Sequence, residues 1–242
     1  RDMNPAVYEA LSEAGRLALG PDARGPFDRL ASGYVPGEGA VVFLLKRLAD
    51  ARRDGDSIRA ILRGVEAVHD QEAPAGLAES LRRCLDHVGL PPALAMTDAA
   101  GLPDEDAAMV QAVQDSYASN RRDGPLYLGS VVGQIGHAGG ASGGVSLLSA
   151  LTALEEGTSP PTFGLVEPSA ALARNLVVVR ALTRGEPLDF QVSKNQRTGL
   201  VISLDKGIAY GTLIESHGGR PGCGHEAISS GIAFTHKPIH IT

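Results

Sequence analysis

Strand-length apolar runs alternate with amphipathic helical patterns through most of the 242 residues. The run 39–47 (GAVVFLLKR) is almost continuously apolar, which is typical of a strand buried on both faces. Leu77, Leu81, Leu85 and Val88 recur at helical spacing, which predicts one apolar helix face over 75–88. Alternation of this kind predicts an α/β fold with a largely parallel or mixed sheet.

The same patterns place the remaining elements. Further strands are predicted at 58–68, 93–98, 126–131, 176–182 and 199–204, and further helices at 4–17, 104–119 and 142–155. After Leu204 no periodicity is sustained, so residues 205–242 are predicted to be an unassigned tail.

Composition narrows the classes of partner. A net charge of −6 and a pI near 5.6 argue against nucleic acid, which requires clustered Lys and Arg. No apolar run reaches the roughly 18 residues of a membrane span. Two cysteines are too few for a disulfide framework and favour a reducing cytoplasm. We therefore expect a soluble cytoplasmic protein without nucleic acid or membrane partners.

Two glycine-rich stretches carry a specific signal. Residues 25–40 read GPFDRLASGYVPGEGA, and residues 129–143 read GSVVGQIGHAGGASG. They resemble the PFDxxxxGYVxGEGA and KSNIGHxxGAAG segments of the β-ketoacyl synthase (ketosynthase) family. The motif positions expected to have structural roles are Phe27, Asp28, Gly33, Gly37, Glu38, Gly39, Gly136 and Gly140.

The resemblance extends from about Asn4 to Leu204 and implies an α/β, thiolase-like fold whose N-terminal part is missing. Residues 1–70 would be the end of the N-terminal thiolase-like half, and residues 71–204 the C-terminal half. The missing part would include the cysteine to which the family attaches its acyl chain.

Most of the chemistry that the resemblance implies has no counterpart here. The family uses that cysteine, a histidine in EAHGTGT, a lysine and a histidine in KSNIGH, and it needs no metal or cofactor. Ala100 stands at the first histidine position, Val132 at the lysine position and Gln134 at the asparagine position. Only His137 matches, either as a surviving catalytic histidine or as a residue that fixes a tight turn.

The residues that differ from the family motifs are similar to those of one subfamily. Residues 98–106 are similar to the ADAAGVPELD stretch of polyketide chain-length factors, although those proteins usually lose the histidine that is present here as His137. The resemblance implies a non-elongating subunit that pairs with a catalytic ketosynthase and works on acyl carrier protein. The alternative is a catalytic synthase that performs decarboxylative Claisen condensation, with its cysteine supplied by another chain. A nonfunctional remnant also stays open.

Other motifs support weaker hypotheses. Ser142 lies in a GxSxG pattern that could be completed by His217 or His225 with Asp189 or Asp205, but about eleven residues separate it from the preceding strand. Cys84 is predicted to be a buried thiol, and Cys223 with His217 and His225 is too sparse for zinc. Glu38 is expected to be buried and paired with Arg29 or Arg63.

Overall fold

The computed structural model describes residues 5–18, 20, 22–69, 73–86, 92–118, 126–174, 179–181, 183–188, 197–205 and 208–217. The helices are α1 (Pro5–Glu13), α2 (Leu48–Asp54), α3 (Ala73–Asp86), α4 (Pro103–Ala118), α5 (Val132–Ile135), α6 (Ser142–Glu156) and α7 (Ala170–Arg174). The strands are β1 (Ala60–His69), β2 (Leu94–Thr97), β3 (Leu126–Ser130), β4 (Thr158–Ser159), β5 (Val179–Ala181), β6 (Glu186–Pro187), β7 (Thr198–Asp205) and β8 (Ile208–Ser216).

A mixed six-stranded sheet organises the fold, in the order β1-β8-β7-β2-β3-β5. The β7, β2, β3 and β5 strands are parallel, whereas β8 runs antiparallel to both β7 and β1. Because the parallel strands point the same way, the residues that follow β2 and β3 lie at the same edge of the sheet as the end of β7. The predicted α/β class with a mixed sheet is confirmed.

Helices cover both faces of this sheet. In β7, Leu200 and Ile202 belong to the core on the face covered by α3 and α4, whereas Val201 packs in a second core with α6. Successive strand residues point to opposite faces, so this central strand is apolar throughout. The helices predicted from apolar spacing at 75–88, 104–119 and 142–155 are present with ends shifted by at most two residues.

The prediction of a strand at 39–47 is wrong for the described structure. This segment pairs with no described strand. Val41 and Phe43 are half-buried, whereas Val42 and Leu44 are 92% and 96% exposed. The side chains of 41–44 thus alternate as in a strand, but no described neighbour pairs with the backbone, so the segment is not part of a described sheet.

Two predicted boundaries also change. Residues 208–216 form β8, which pairs with both β7 and β1, so the chain after Leu204 is not entirely an unassigned tail. Because β1 is hydrogen-bonded to β8, residues 60–69 lie in the same sheet as the strands of the predicted 71–204 block. Residues 218–242 lie outside the described residues.

Candidate active site

His137 lies where the two glycine-rich stretches meet. Its backbone N–H donates to the Val35 carbonyl oxygen at 2.8 Å, and its own carbonyl accepts from the Gly37 N–H at 2.9 Å. The imidazole stacks on the Tyr34 ring with 4.6 Å between centroids. Its Nδ1 accepts from the Gly139 N–H at 3.3 Å, which places the imidazole proton on Nε2. The second stretch therefore holds the ring in one orientation and one tautomer.

Two motif glycines allow this crossing of backbones. A Cβ on Gly37 would lie 2.3 Å from the Ile135 carbonyl oxygen, and Gly136 has φ 78° with its own Cβ position 2.8 Å from Gly37 Cα. No side chain fits in either place. Gly39 and Gly140, in contrast, have no described atom within 4 Å of an added Cβ, so their contacts do not explain the motif there.

The first stretch is fastened by two carboxylates. The buried Phe27 adopts φ 66°, and its N–H donates to Asp106 at 2.8 Å. The other oxygen of Asp106 accepts from the Ala100 and Gly101 N–H groups at 3.2 and 3.3 Å. Burial raises the pKa of Asp106 to about 6, although these three donors oppose the rise. Asp106 thus joins the loop that contains Phe27 and Asp28 to the residues that follow β2.

Asp28 fastens the same loop to a second segment. Its Oδ2 accepts from the Val166 and Glu167 N–H groups at 2.7 and 2.8 Å, and its Oδ1 accepts from Leu30. Burial raises the pKa of Asp28, but the three backbone donors and the charge of Arg24 together hold that pKa below its ordinary value. Phe27 and Asp28 therefore connect this loop to other segments, and Gly33 has no room for a side chain, since an added Cβ would lie 2.5 Å from the Arg16 carbonyl oxygen.

Ala100 and Val132, where the resemblance implies a catalytic histidine and lysine in the family, lie in an apolar cluster. Ala100 and Val132 are 7% and 4% exposed and pack together with Tyr34 and Leu102. Neither side chain can transfer a proton or stabilise a negative charge. Gln134 lies on the outside of this region, and its side-chain nitrogen donates to the Pro161 carbonyl oxygen at 3.2 Å.

A cavity of about 1090 Å³ adjoins His137. Its walls are largely apolar and include Phe43, Leu147, Val201 and Tyr210. Asp98 and Ser203 are among the polar residues that line it, and the Ser203 hydroxyl donates to the Asp98 carboxylate.

The reasoning from sequence did not identify the Asp98–Ser203 pair. The signal available was topological, because Asp98 directly follows β2 and Ser203 lies near the end of the parallel β7. Ligands of open α/β sheets commonly bind at the carboxyl ends of such strands.

The remaining candidates have structural roles or lie outside the described part of the chain. Ser142 is buried, and its Oγ accepts from the Ala138 N–H at 3.0 Å, so it is not presented on a nucleophile elbow. Burial, aided by the charge of Glu66, raises the pKa of the Cys84 thiol to about 12, which leaves it unreactive. Cys223, His225, Asp189 and the side chain of Asp205 are not among the described residues.

The ion pair expected for Glu38 is absent among the described residues. Glu38 is exposed, Arg29 pairs with Glu167, and Arg63 Nε lies 2.5 Å from the Glu215 carboxylate. The prediction treated Glu38 as the start of a buried strand, and that strand does not form. Within the described part of the chain, no group of three acidic, histidine or cysteine side chains could hold a metal ion. None of the described helices is both long enough and apolar enough to cross a membrane.

The fold and the arrangement around His137 define a thiolase-like ketosynthase fold. The module 6 ketosynthase of the Bacillus subtilis bacillaene synthase superposes with a TM-score of 0.82 at 24% identity, over 90% of this chain and 40% of that one. The ishigamide ketosynthase/chain length factor superposes with a TM-score of 0.74 at 23% identity, over 88% of this chain and 51% of that one.

Sequence comparisons agree with the fold comparison. The family model "Beta-ketoacyl synthase, N-terminal domain" matches residues 1–51, and "Beta-ketoacyl synthase, C-terminal domain" matches residues 60–166. A highly reducing polyketide synthase of Aspergillus niger is 37% identical over 185 residues, and the squalestatin tetraketide synthase of a Phoma species is 34% identical over 190. The chain belongs to the β-ketoacyl synthase family. It spans 7% of the length of each of these two relatives.

Proposed function

We propose that this chain acts as a non-elongating, chain-length-factor-like subunit in the cytoplasm. It would pair with an active ketosynthase in polyketide (or fatty-acid) synthesis on acyl carrier protein. The observation that carries the proposal is the burial of Ala100 and Val132 in one cluster with Tyr34 and Leu102.

That cluster is chemically unsuited to condensation. Decarboxylation of a malonyl thioester and attack on an acyl thioester both develop negative charge, which must be stabilised by hydrogen-bond donors or cations. The Ala100 and Val132 side chains provide neither.

The comparisons support the assignment to polyketide synthesis in this proposal. The Aspergillus niger and Phoma relatives are named as polyketide synthases, which favours polyketide over fatty-acid synthesis. The similarity to a structure titled ketosynthase/chain length factor supports a fold that can serve in such a pair. The largely apolar cavity beside His137 would offer space for part of an acyl chain.

The test is co-expression with a ketosynthase encoded beside this gene, followed by native mass measurement and product analysis. We expect a one-to-one complex whose product length changes when Leu147, on the cavity wall, is replaced by Phe. Replacing the partner's nucleophilic cysteine should abolish all condensation. Condensation that persists after that replacement would overturn the proposal, because this chain would then be elongating.

A catalytic role is the second candidate, with the cysteine supplied by another chain. It is favoured by one observation, the Nδ1 acceptor geometry that leaves the His137 proton on Nε2, as a donor to an oxyanion requires. In this case His137→Ala should reduce the condensation rate by about 10²–10⁴-fold and leave the melting temperature unchanged. An equal loss of folded protein would instead indicate the turn-fixing role.

A further inference from the structure

Asp98 and Ser203 form a hydrogen-bonded pair in the wall of the cavity beside His137. Asp98 directly follows β2 and is 8% exposed, whereas Ser203 is half-buried near the end of β7. The rest of the wall is largely apolar. A carboxylate in such a wall influences which ligand groups can lie against it.

The surrounding core holds the Asp98–Ser203 pair in place. An added Cβ on Gly143 would lie 3.1 Å from Ser203 Oγ, so the backbone of α6 passes close to this hydroxyl. One turn further along α6, the Ser146 hydroxyl donates to the carbonyl oxygen of Thr97, the residue before Asp98, at 2.9 Å. The pair therefore lies where the ends of β2 and β7 meet the beginning of α6.

The two side chains of the pair offer acceptors to the cavity. A carboxylate only accepts hydrogen bonds, with room for about four donors, and a hydroxyl has a single proton. Because the Ser203 proton is donated to Asp98, both side chains present acceptor oxygens. A ligand group that meets the pair is therefore stabilised if it donates a hydrogen bond, as an alcohol does. A ketone, which can only accept, is repelled.

Burial increases this difference between ligand groups. An acyl chain that fills the cavity displaces water from the accessible part of the Asp98 carboxylate, which is costly unless the chain replaces that hydrogen bond. A methylene group does not replace it, and a ketone adds an oxygen of like partial charge. A hydroxyl group does replace it. Sites of this kind reject analogues that lack the matching donor.

We propose that the Asp98–Ser203 pair is a specificity subsite that selects acyl chains with a hydroxyl group over chains with a ketone or methylene at the same carbon. This inference rests on the proposed function, in which the cavity holds part of an acyl chain. Acyl chains of polyketide synthesis carry ketones, or hydroxyls where a ketone has been reduced. The pair therefore distinguishes reduced from unreduced chains, while Phe43, Leu147 and Val201 contact the apolar part.

The test measures binding of neutral N-acetylcysteamine thioesters of decanoic acid to this chain by isothermal titration calorimetry. One series carries a single hydroxyl group at successive carbons, and a matched series carries a ketone at the same carbons. We expect at least one hydroxy thioester to bind about 10-fold or more tightly than the unsubstituted thioester. Its ketone counterpart should bind more weakly than both.

Three variants assign the preference to the carboxylate. Asp98→Asn introduces an amide that donates as well as accepts, so it should reduce the preference for hydroxyl over ketone by about 10-fold. Ser203→Ala leaves the carboxylate in place and should keep the preference, which decides the question if Asp98→Asn does not fold. Thr212→Val removes a different hydroxyl from the cavity wall and is the matched control. Melting temperatures show whether each variant is folded.

Equal binding of the hydroxy, ketone and unsubstituted thioesters at every carbon would overturn the proposal. So would a hydroxyl preference that Asp98→Asn retains, or that Ser203→Ala or Thr212→Val abolishes. Absence of binding by every thioester would also overturn it, because the cavity would then hold no acyl chain. The titrations use neither a partner nor turnover, so their outcome is separate from the complex formation and product analysis that test the proposed function.

Discussion

Asp106 is a buried carboxyl that shows how burial and hydrogen bonding compete at one residue. Burial raises its pKa to about 6 from an ordinary value of 3.8, despite three backbone donors. The folded state therefore binds a proton more tightly than the unfolded state. The resulting stabilisation is fully present below about pH 4 and is lost as the pH rises through 6, a change of about 3 kcal/mol.

The measurement is the unfolding free energy of the unmodified chain and of Asp106→Asn between pH 4 and 7. The difference between the two proteins should shift in favour of the asparagine variant as the pH rises. Asp104→Asn is the matched control, since Asp104 is exposed in the same helical turn. A difference that does not change with pH would contradict the assignment of the raised pKa to Asp106.

Gly37 and Gly39 are separated by one residue but differ in what surrounds them. Gly37→Ala would drive a Cβ to 2.3 Å from the Ile135 carbonyl oxygen, whereas Gly39→Ala would meet nothing within 4 Å. We expect the first variant to lose about 1–3 kcal/mol of stability and to displace the loop that holds His137. Thermal melts and the His137 imidazole NMR signals would check this. Similar melting temperatures for the two variants would contradict it.

The sequence predicted which residues matter in the first stretch, but not what they contact. Phe27 and Asp28 were expected to be structural, and this stays a prediction, although both form hydrogen bonds with distant segments. The Phe27 partner, Asp106, lies 79 positions away along the chain, and no local pattern links the two. Glu38 was wrongly expected to be buried because its environment depended on a strand that has no partner in the described structure.

At the scale of the element, α6 begins with a buried serine whose role is architectural. Ser142→Ala removes the acceptor of the Ala138 N–H and leaves that donor unpaired, which should cost about 1–2 kcal/mol. Ser12→Ala on the exposed surface of α1 is the control and should change stability by less than about 0.5 kcal/mol. Chemical denaturation measures both. A loss of ester hydrolysis in Ser142→Ala, with stability unchanged, would support the hydrolase hypothesis instead.

Helices were predictable because their apolar spacing is internal to each element. The ends of α3, α4 and α6 agree with the predicted helices to within two residues, whereas α1 ends four residues before the predicted end of 4–17. Strands depend on partners that are distant in sequence. The pattern at 208–216 was not recognised as a strand, although β8 pairs on both sides, and the apolar 39–47 was predicted to be a strand although no described neighbour accepts it.

At the scale of the whole molecule, stability should differ sharply between the centre of the sheet and residues 40–46, here called the ribbon. The β7 and β2 strands are paired on both sides and covered by helices on both faces. The ribbon at 40–46 pairs with no described strand and exposes Val42 and Leu44. Amide exchange reports the free energy of the opening that breaks the hydrogen bond of each N–H. An amide without a hydrogen bond exchanges with no prior opening.

In the chain alone, amides 40–46 should therefore exchange about 1000-fold or more faster than those of β7, as hydrogen–deuterium exchange with peptide-level mass spectrometry would show. Peptides from β1, which is paired on one side only, provide an intermediate reference within the same experiment. Adding denaturant below the unfolding transition should accelerate exchange in β7 but leave the ribbon unchanged, because the ribbon amides need no opening. Slow exchange at 40–46 would mean that the amides of this segment already have backbone partners within this chain.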